Sequence, residues 1–460
     1  MGRQYYKRGG EVFYRAIIDN LKQWKNSNGR KPLILRGARQ TGKTTAVELF
    51  SREFDNYLYL NLEKKDMRDL FTRGLSPRQI IQASHLLLRV PIQQGSTLLF
   101  IDEIQNSQEA IAMMRYFYEE TPEFHVIGAG SLLDIMLEQH NKAFPVGRVQ
   151  YLYLFPLSFR EFLVALQEDQ ALSFYDKLPC DMLAHTVLLQ LFHLYVQLGG
   201  MPEIIKRYRE NRDITQVQTV YQSLMTSYID DIGKYSRHHT MTHILKHLLE
   251  TSPQEAGRRI KFERFGNSAY RSREVGEAFR TLERTLFLSL VYPISAVQPP
   301  VSADLKKSPR LQLLDTGLIN YALGIQGQFY KFDDLNDMYQ GTIAEHIVGQ
   351  ELTALDMNNN KKLLFWVREK HNAGAEVDYV YQYNNRLIPI EVKSGKTGTL
   401  RSLHQYMDRA PHDFAIRLYA GELSETIAAT PQGKKYHLIN LPYYLTGKLP
   451  EYFEWYLNKK

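Results

Sequence analysis

Residues Gly37-Ala38-Arg39-Gln40-Thr41-Gly42-Lys43-Thr44 match G-x-x-x-x-G-K-[ST] without deviation. No other feature restricts the fold as tightly, because this loop works only between a buried strand and a helix that it opens. The flanks fit. Pro32 to Leu35 is a short apolar run closed by Arg36-Gly37, as in a strand covered on both faces, and a helical pattern begins at Lys43. The glycines let backbone N–H groups wrap a β-phosphate, and the helix N-terminus adds a favourable field. Lys43 can reach the β- and γ-phosphates, the Thr44 hydroxyl can ligate Mg²⁺, and Thr45 completes the set of loop residues.

Further strands are expected at Asn56 to Leu62, Thr97 to Ile101 and Phe124 to Gly128, with helical patterns between them and an earlier helix from Glu11 to Trp24. Strand and helix in alternation argue for a parallel sheet. Leu98 to Ile101 run straight into Asp102-Glu103, so both carboxylates emerge at the carboxyl end of a buried strand, the edge where parallel sheets bind ligands. There Asp102 would support Mg²⁺ and Glu103 would orient or deprotonate an attacking water. An acidic pair that merely caps the next helix is the competing view. Ser131, after Gly128-Ala129-Gly130, either senses the γ-phosphate or caps a helix from Leu132. Arg148 either supplies positive charge to the phosphoryl-transfer transition state, in cis or across a subunit interface, or is an ordinary surface arginine.

Beyond Val149 the pattern turns to long helical segments, Ser158 to Leu166 and Thr186 to Gln197, broken at Gly199-Gly200-Met201-Pro202. From Thr240 to Pro293 the order reads helix, helix, helix, strand, as in a winged helix-turn-helix, with Arg271-Ser272-Arg273 opening the third helix. Charge follows this division. The chain carries a formal +7, and Lys234 to Arg284 alone holds eleven Lys or Arg against six Glu and no Asp, a net +5. Arg271, Arg273, His238 and His239 are candidate phosphate contacts, or else part of a solvated basic face. The one cysteine, Cys180, excludes an internal disulfide and a Cys-based zinc site, and no signal-like stretch opens the sequence, so the expected compartment is the cytoplasm. No membrane span is expected: Leu286 to Ala303 lacks charge but holds three prolines.

A second α/β unit is expected from strands at Leu311 to Leu314, Leu364 to Val367, Glu376 to Tyr383 and Arg386 to Val392. Asp378 lies on one arm of a hairpin turning at Asn384-Asn385, and Glu391 and Lys393, two apart, share a face of the other arm. Two carboxylates there could hold Mg²⁺ to polarise a phosphodiester, with Lys393 positioning water and Glu345 completing the shell. A cross-strand ion pair with nothing to catalyse is the alternative. Gln405 and Tyr406 would touch a nucleic acid backbone or lie idle on the surface.

Lys31 to Thr44, Phe100-Ile101-Asp102-Glu103-Ile104-Gln105, Gly147-Arg148 and Phe155-Pro156-Leu157-Ser158-Phe159-Arg160-Glu161-Phe162 resemble prokaryotic AAA-type ATPases described only as ATP-binding proteins. Gly199-Gly200-Met201-Pro202-Glu203 and Leu314-Asp315-Thr316-Gly317-Leu318 look like further landmarks of that family, so the resemblance runs from about Arg15 to about Tyr406. It implies an α/β chain with a P-loop AAA-type ATPase core over 1–160 and a helical lid or linker over 161–232. A winged helix-turn-helix over 233–310 and a restriction-endonuclease-like PD-(D/E)xK domain over 311–460 follow. The nuclease pattern falls on Glu345, Asp378, Glu391 and Lys393, with Val377 where the motif usually has proline. The implied activity is Mg²⁺-dependent ATP hydrolysis coupled to DNA binding and cleavage, with Mn²⁺ an option at the nuclease-like site. The alternative is an ATP-dependent switch with a non-catalytic nuclease-like domain. ATP and DNA are the expected partners, with homo-oligomerisation required if the protein is to translocate on DNA, since there is one phosphate loop.

Overall fold

Apolar runs bounded by glycine and polar turns form the strands, and the computed structural model describes them within residues 13–131, 133, 135, 147–235, 238–326, 341–358, 361–368, 374–393 and 400–458. The chain divides into two compact units, Met1–Phe155 with Asp356–Asn360, and Pro156–Leu355 with Lys361–Lys460.

The first unit is a parallel sheet of β1 (Leu33–Arg36), β2 (Asn56–Asn61), β3 (Thr97–Asp102), β4 (His125–Gly130) and β5 (Gln150–Tyr153), in the order β2-β3-β4-β1-β5. All six residues of β3 are buried, as a central strand between two helical layers requires. Ile17–Asn26 and Lys43–Phe50 cover one face through Ile17, Leu21, Val47 and Phe50. Helices Lys65–Thr72, Pro77–Leu88 and Gln108–Glu120 cover the other through Leu70, Ile80 and Met114. Their starts are written locally. Ser76 and Gln79 form a capping box with Pro77 in the first turn, and the Ser107 hydroxyl accepts from the Ala110 N–H. The start of the expected Glu11 helix and most of the expected helix from Leu132 lie outside the described residues.

In the second unit, Ser158 and Glu161 form a capping box that opens helix Phe159–Leu166. Phe159 packs against Phe162, Tyr175, Phe192 and Tyr195. Two glycine-rich landmarks meet: the Gly200 N–H donates to Asp315 Oδ2 at 2.6 Å, while Asp315 Oδ1 accepts from the Leu318 N–H and caps helix Thr316–Ala322. Next come helix His239–Thr251, a three-residue turn Phe265–Asn267, helix Ser272–Arg284, and the antiparallel pair β6 (Leu288–Val291) and β8 (Arg310–Leu313). Gly257 and Ile260 donate to the Leu311 and Pro309 carbonyls, extending that pair by one edge. The second expected helix is thus a 3₁₀ turn, and the boundary expected after 310 cuts a strand held by β6.

Between β6 and β8 lies β7 (Pro293–Ile294), which joins β9 (Phe365–Arg368) and β10 (Ala375–Val377) in a small sheet. The remaining sheet orders β11 (Tyr379–Tyr383), β12 (Arg386–Val392), β13 (Phe414–Tyr419), β15 (Lys435–Pro442) and β14 (Ser424–Ala429). The expected strand from Glu376 to Tyr383 breaks at Asp378: β10 pairs with β9 and β11 with β12. Asn384 and Asn385, both at positive φ, make the hairpin turn. Among the described residues no single helix is long and apolar enough to cross a membrane.

Glu351 is buried in this unit, accepting from the Phe159 N–H and the Tyr195 hydroxyl through Oε1, while its Oε2 has no hydrogen-bond partner among the described residues. Burial pushes its carboxyl up to about 7, against those two hydrogen bonds. The folded state therefore keeps a proton that the unfolded chain releases. The stabilisation is complete below the ordinary glutamate value and is lost as pH rises towards about 7. The thermal midpoint should fall across that window, and Glu351→Gln should flatten the slope in a series of calorimetric scans. An unaltered slope would assign it to other groups.

Candidate functional site

The carboxyl ends of β1, β3 and β4 lie at one edge, since Arg36 pairs with Gly130 and Ile101 with Gly128. The phosphate loop, Asp102 and Ser131 therefore share that edge. Gly42, at φ 93°, turns the loop into helix Lys43–Phe50 in a conformation that penalises any Cβ. Lys43 is buried and folds back onto its own loop, donating to the Gly37 and Ala38 carbonyls at 3.0 and 2.9 Å. Burial lowers its ammonium to about 8, partly offset by the Glu103 and Asp102 carboxylates. A phosphate would replace weak carbonyl partners with full negative charge.

Thr44 Oγ1 donates to Asp102 Oδ2 at 2.9 Å, and the Tyr59 hydroxyl donates to the same oxygen at 3.1 Å. Burial raises the Asp102 pKa against these two bonds. A hydroxyl and a carboxylate side by side are hard oxygen donors, which suit Mg²⁺. Glu103, at φ 51°, turns away from the strand and accepts from Gln105 Nε2. Below the loop, buried Arg15 donates to the Thr41 carbonyl at 2.9 Å and the Phe155 carbonyl at 2.6 Å.

A second charged cluster lies within the other unit. Asp378, the bend between β10 and β11, accepts from the Val392 N–H at 2.8 Å at the end of the β11–β12 ladder. Lys393 Nζ lies 2.6 Å from Glu391 Oε1, and Glu391 Oε2 has no hydrogen-bond partner among the described residues. Glu345 sits in the first turn of helix Thr342–Ala354. Arg310, which sequence reasoning passed over, enters among them from β8. Its Nη1 donates to the Asp378 carbonyl at 3.0 Å and lies 3.5 Å from Glu345 Oε2, while Nη2 pairs with Glu376. Burial, then the neighbouring Asp378 charge, holds Glu345 and Glu391 well above the ordinary carboxylate range. Removing one member of such a buried set typically costs about 3–5 kcal/mol.

Residues 29–163 match the model of an AAA domain, which spans the phosphate loop, Asp102-Glu103 and all five strands of the first sheet. The first unit is an AAA-type P-loop domain. Residues 189–328 and 340–444 match two domains of unknown function, DUF8612 and DUF4143. An uncharacterized protein of Haemophilus influenzae is 23% identical over 334 residues, covering 68% of this chain and 74% of that one. Among solved structures, a Walker-type ATPase of Pyrococcus abyssi overlaps 68% of this chain and 96% of its own, at 14% identity and TM-score 0.41. The Aeropyrum pernix ORC2 protein overlaps 71% and 98%, at 12% identity and TM-score 0.34.

The AAA domain brings Gly37 to Thr44, Asp102, Glu103 and half-buried Ser131 to one edge, with Thr45 exposed on the first helical turn. It does not bring Arg148 there. Arg148 precedes β5, whose first residue pairs with Leu33 at the start of β1, so it lies at the opposite, amino-terminal edge. There it forms an exposed pair with Glu119 at 3.0 Å, which removes the cis role within one chain. Tyr406 is core, donating to the Leu387 carbonyl, and Gln405 accepts from Arg368. Sequence reasoning missed Arg15, Tyr59 and Gln105. Only Gln105, inside the Asp-Glu-Ile-Gln run, carried a local signal.

A Cβ on Gly130 would fall 2.1 Å from Gln105 Oε1, so Gly130→Ala must push that amide away from Glu103. ATP turnover should drop by up to about 100-fold, in line with misplacing a catalytic group, while the affinity for a fluorescent ATP analogue holds. Unchanged turnover would deny Gln105 a positioning role.

Proposed function

We propose that the protein is a Mg²⁺-dependent ATP hydrolase whose nucleotide state controls DNA binding by its second unit. One observation carries the first half: Lys43, Thr44, Asp102 and Glu103 converge at the strand edge where the phosphate loop opens its helix. Thr44 and Asp102 would hold Mg²⁺, whose charge would offset that of the phosphates. Lys43 would exchange its two carbonyl partners for phosphate oxygens, Thr44 and Asp102 would support the metal, and Glu103, held by Gln105, would take the proton of the attacking water. Ser131, just after the end of β4, would report the γ-phosphate. An arginine acting on that phosphate would have to come from another copy, where Arg148 remains eligible.

DNA binding is supported by the order of elements from His239 to Leu313: helix, a short extended stretch bridged to β8 at Arg259, a 3₁₀ turn, helix and an antiparallel strand pair, an order that resembles a winged helix. Exposed Arg264 and Arg271 border an open hollow of about 700 Å³ at the turn before helix Ser272–Arg284, and Arg273 and Arg280 are exposed along that helix. This matches the requirement for backbone phosphate contacts. Cleavage is a different matter. Among the described residues no three carboxylate, histidine or cysteine side chains converge on a point that one metal ion could occupy, so Glu345, Asp378 and Glu391 do not fit the metal centre expected of them. The second unit is read as a non-catalytic, nucleotide-controlled binding module.

Lys43→Ala should reduce ATP turnover by at least about 100-fold, the usual scale for losing a charge-stabilising group. Unchanged turnover by the purified variant would defeat the hydrolase reading. For the second half, duplex DNA binding followed by fluorescence anisotropy should differ between ATP and ADP. Arg271→Ala and Arg273→Ala should each weaken it evenly across sequences and lower the salt slope by about 1. Slopes equal to the parent's would move the contact surface elsewhere.

A further inference from the structure

We infer that the cation of the C-terminal carboxylate cluster is Arg310 itself, and that the guanidinium keeps divalent metal ions out. Mg²⁺ and Mn²⁺ need several oxygens gathered octahedrally around one point, at about 2.0–2.1 Å for Mg²⁺. Here the carboxylates are turned to a flat, five-donor head instead. The Arg310 guanidinium contacts Glu376, lies 3.5 Å from Glu345 Oε2 and 3.9 Å from Asp378 Oδ1, and also binds the Asp378 carbonyl. The faces of Phe365 and Tyr379, 4.8 and 5.7 Å from its central carbon, complete the cage.

Charge points the same way. Glu345, Glu376, Asp378 and Glu391 face Arg310 and Lys393, with Arg259 3.8 Å from Glu376. Three cations thus meet four carboxyl groups, and even with all four ionised a divalent ion added to them would leave net positive charge in a buried place. Arginine does not deprotonate to make room. Nor is it free to swing out. It is 4% exposed and begins β8, where its backbone pairs with Val291 of β6 and bridges to Arg259, so the ladder fixes where the side chain starts and burial leaves it little room to turn. A loop-borne arginine could step aside; this one is delivered by the sheet of the preceding segment.

The inference deepens the switch reading of the second unit and needs nothing from the AAA domain. It is tested without nucleotide, so that its failure leaves the ATP turnover result standing. Free Mn²⁺ is followed by electron paramagnetic resonance while the full chain is titrated. Parent and Asp378→Asn should give superimposable curves, because any Mn²⁺ held near Thr44 is common to both. Arg310→Gln should take up about one additional Mn²⁺ per chain, and the added site should vanish in Arg310→Gln/Asp378→Asn. Uptake by the parent that is lost in Asp378→Asn overturns the proposal. So does a folded Arg310→Gln that gains no site. Should Arg310→Gln fail to fold, the comparison of parent with Asp378→Asn still decides.

Discussion

Charge taken out of water must be answered inside the protein, and this chain answers it differently at each buried place. In the phosphate loop the answer is provisional: Lys43 leans on two carbonyls, partners that cost little to give up. Around Asp102 it is a pair of hydroxyls, from Thr44 and Tyr59. At Asp315 it is backbone N–H groups at a helix start, and at Arg310 it is a ring of carboxylates. The first two settings suit an arriving ligand, because what surrounds the group can be exchanged. The last two are closed, and closed sites serve architecture.

That contrast explains the landmarks that look functional in the sequence. Gly199-Gly200 and Leu314-Asp315-Thr316, landmarks of the resemblance in the sequence, are two halves of one joint, the Gly200 N–H on Asp315 Oδ2. Phe159, in the run after Pro156, similarly belongs to an aromatic core with Tyr195 and Phe192. Short polar motifs can therefore mark where a chain must turn back on itself as readily as where it meets a ligand.

The parts legible in the sequence are those written within a few residues. The strand, loop and helix around Gly37 to Thr44, the carboxylates after β3, and the Asn384-Asn385 hairpin all carry local turn chemistry and periodicity. The remaining site residues depend on long closures. Arg15 reaches Phe155, and Arg310 reaches Glu376, across stretches that no periodicity spans. Arg148 is instructive. It follows Ser131 closely enough to suggest a shared site, but in a parallel sheet the chain must return to the opposite edge before the next strand, and β5, unread in the sequence, begins just after it. Strands β13 to β15 were missed because their company is a sheet rather than a local pattern.

The position of Arg310 also bears on how such chains can be shuffled. Its backbone belongs to the ladder with β6, while its side chain belongs to Glu345, Glu376 and Asp378. A recombination crossover close after it would leave one fragment with an orphaned arginine and the other with unmatched acids. The segment from His239 to Leu313 and the sheet that follows therefore have to travel together in any chimera, and a join that spares both is placed where the chain leaves the AAA domain near Phe155.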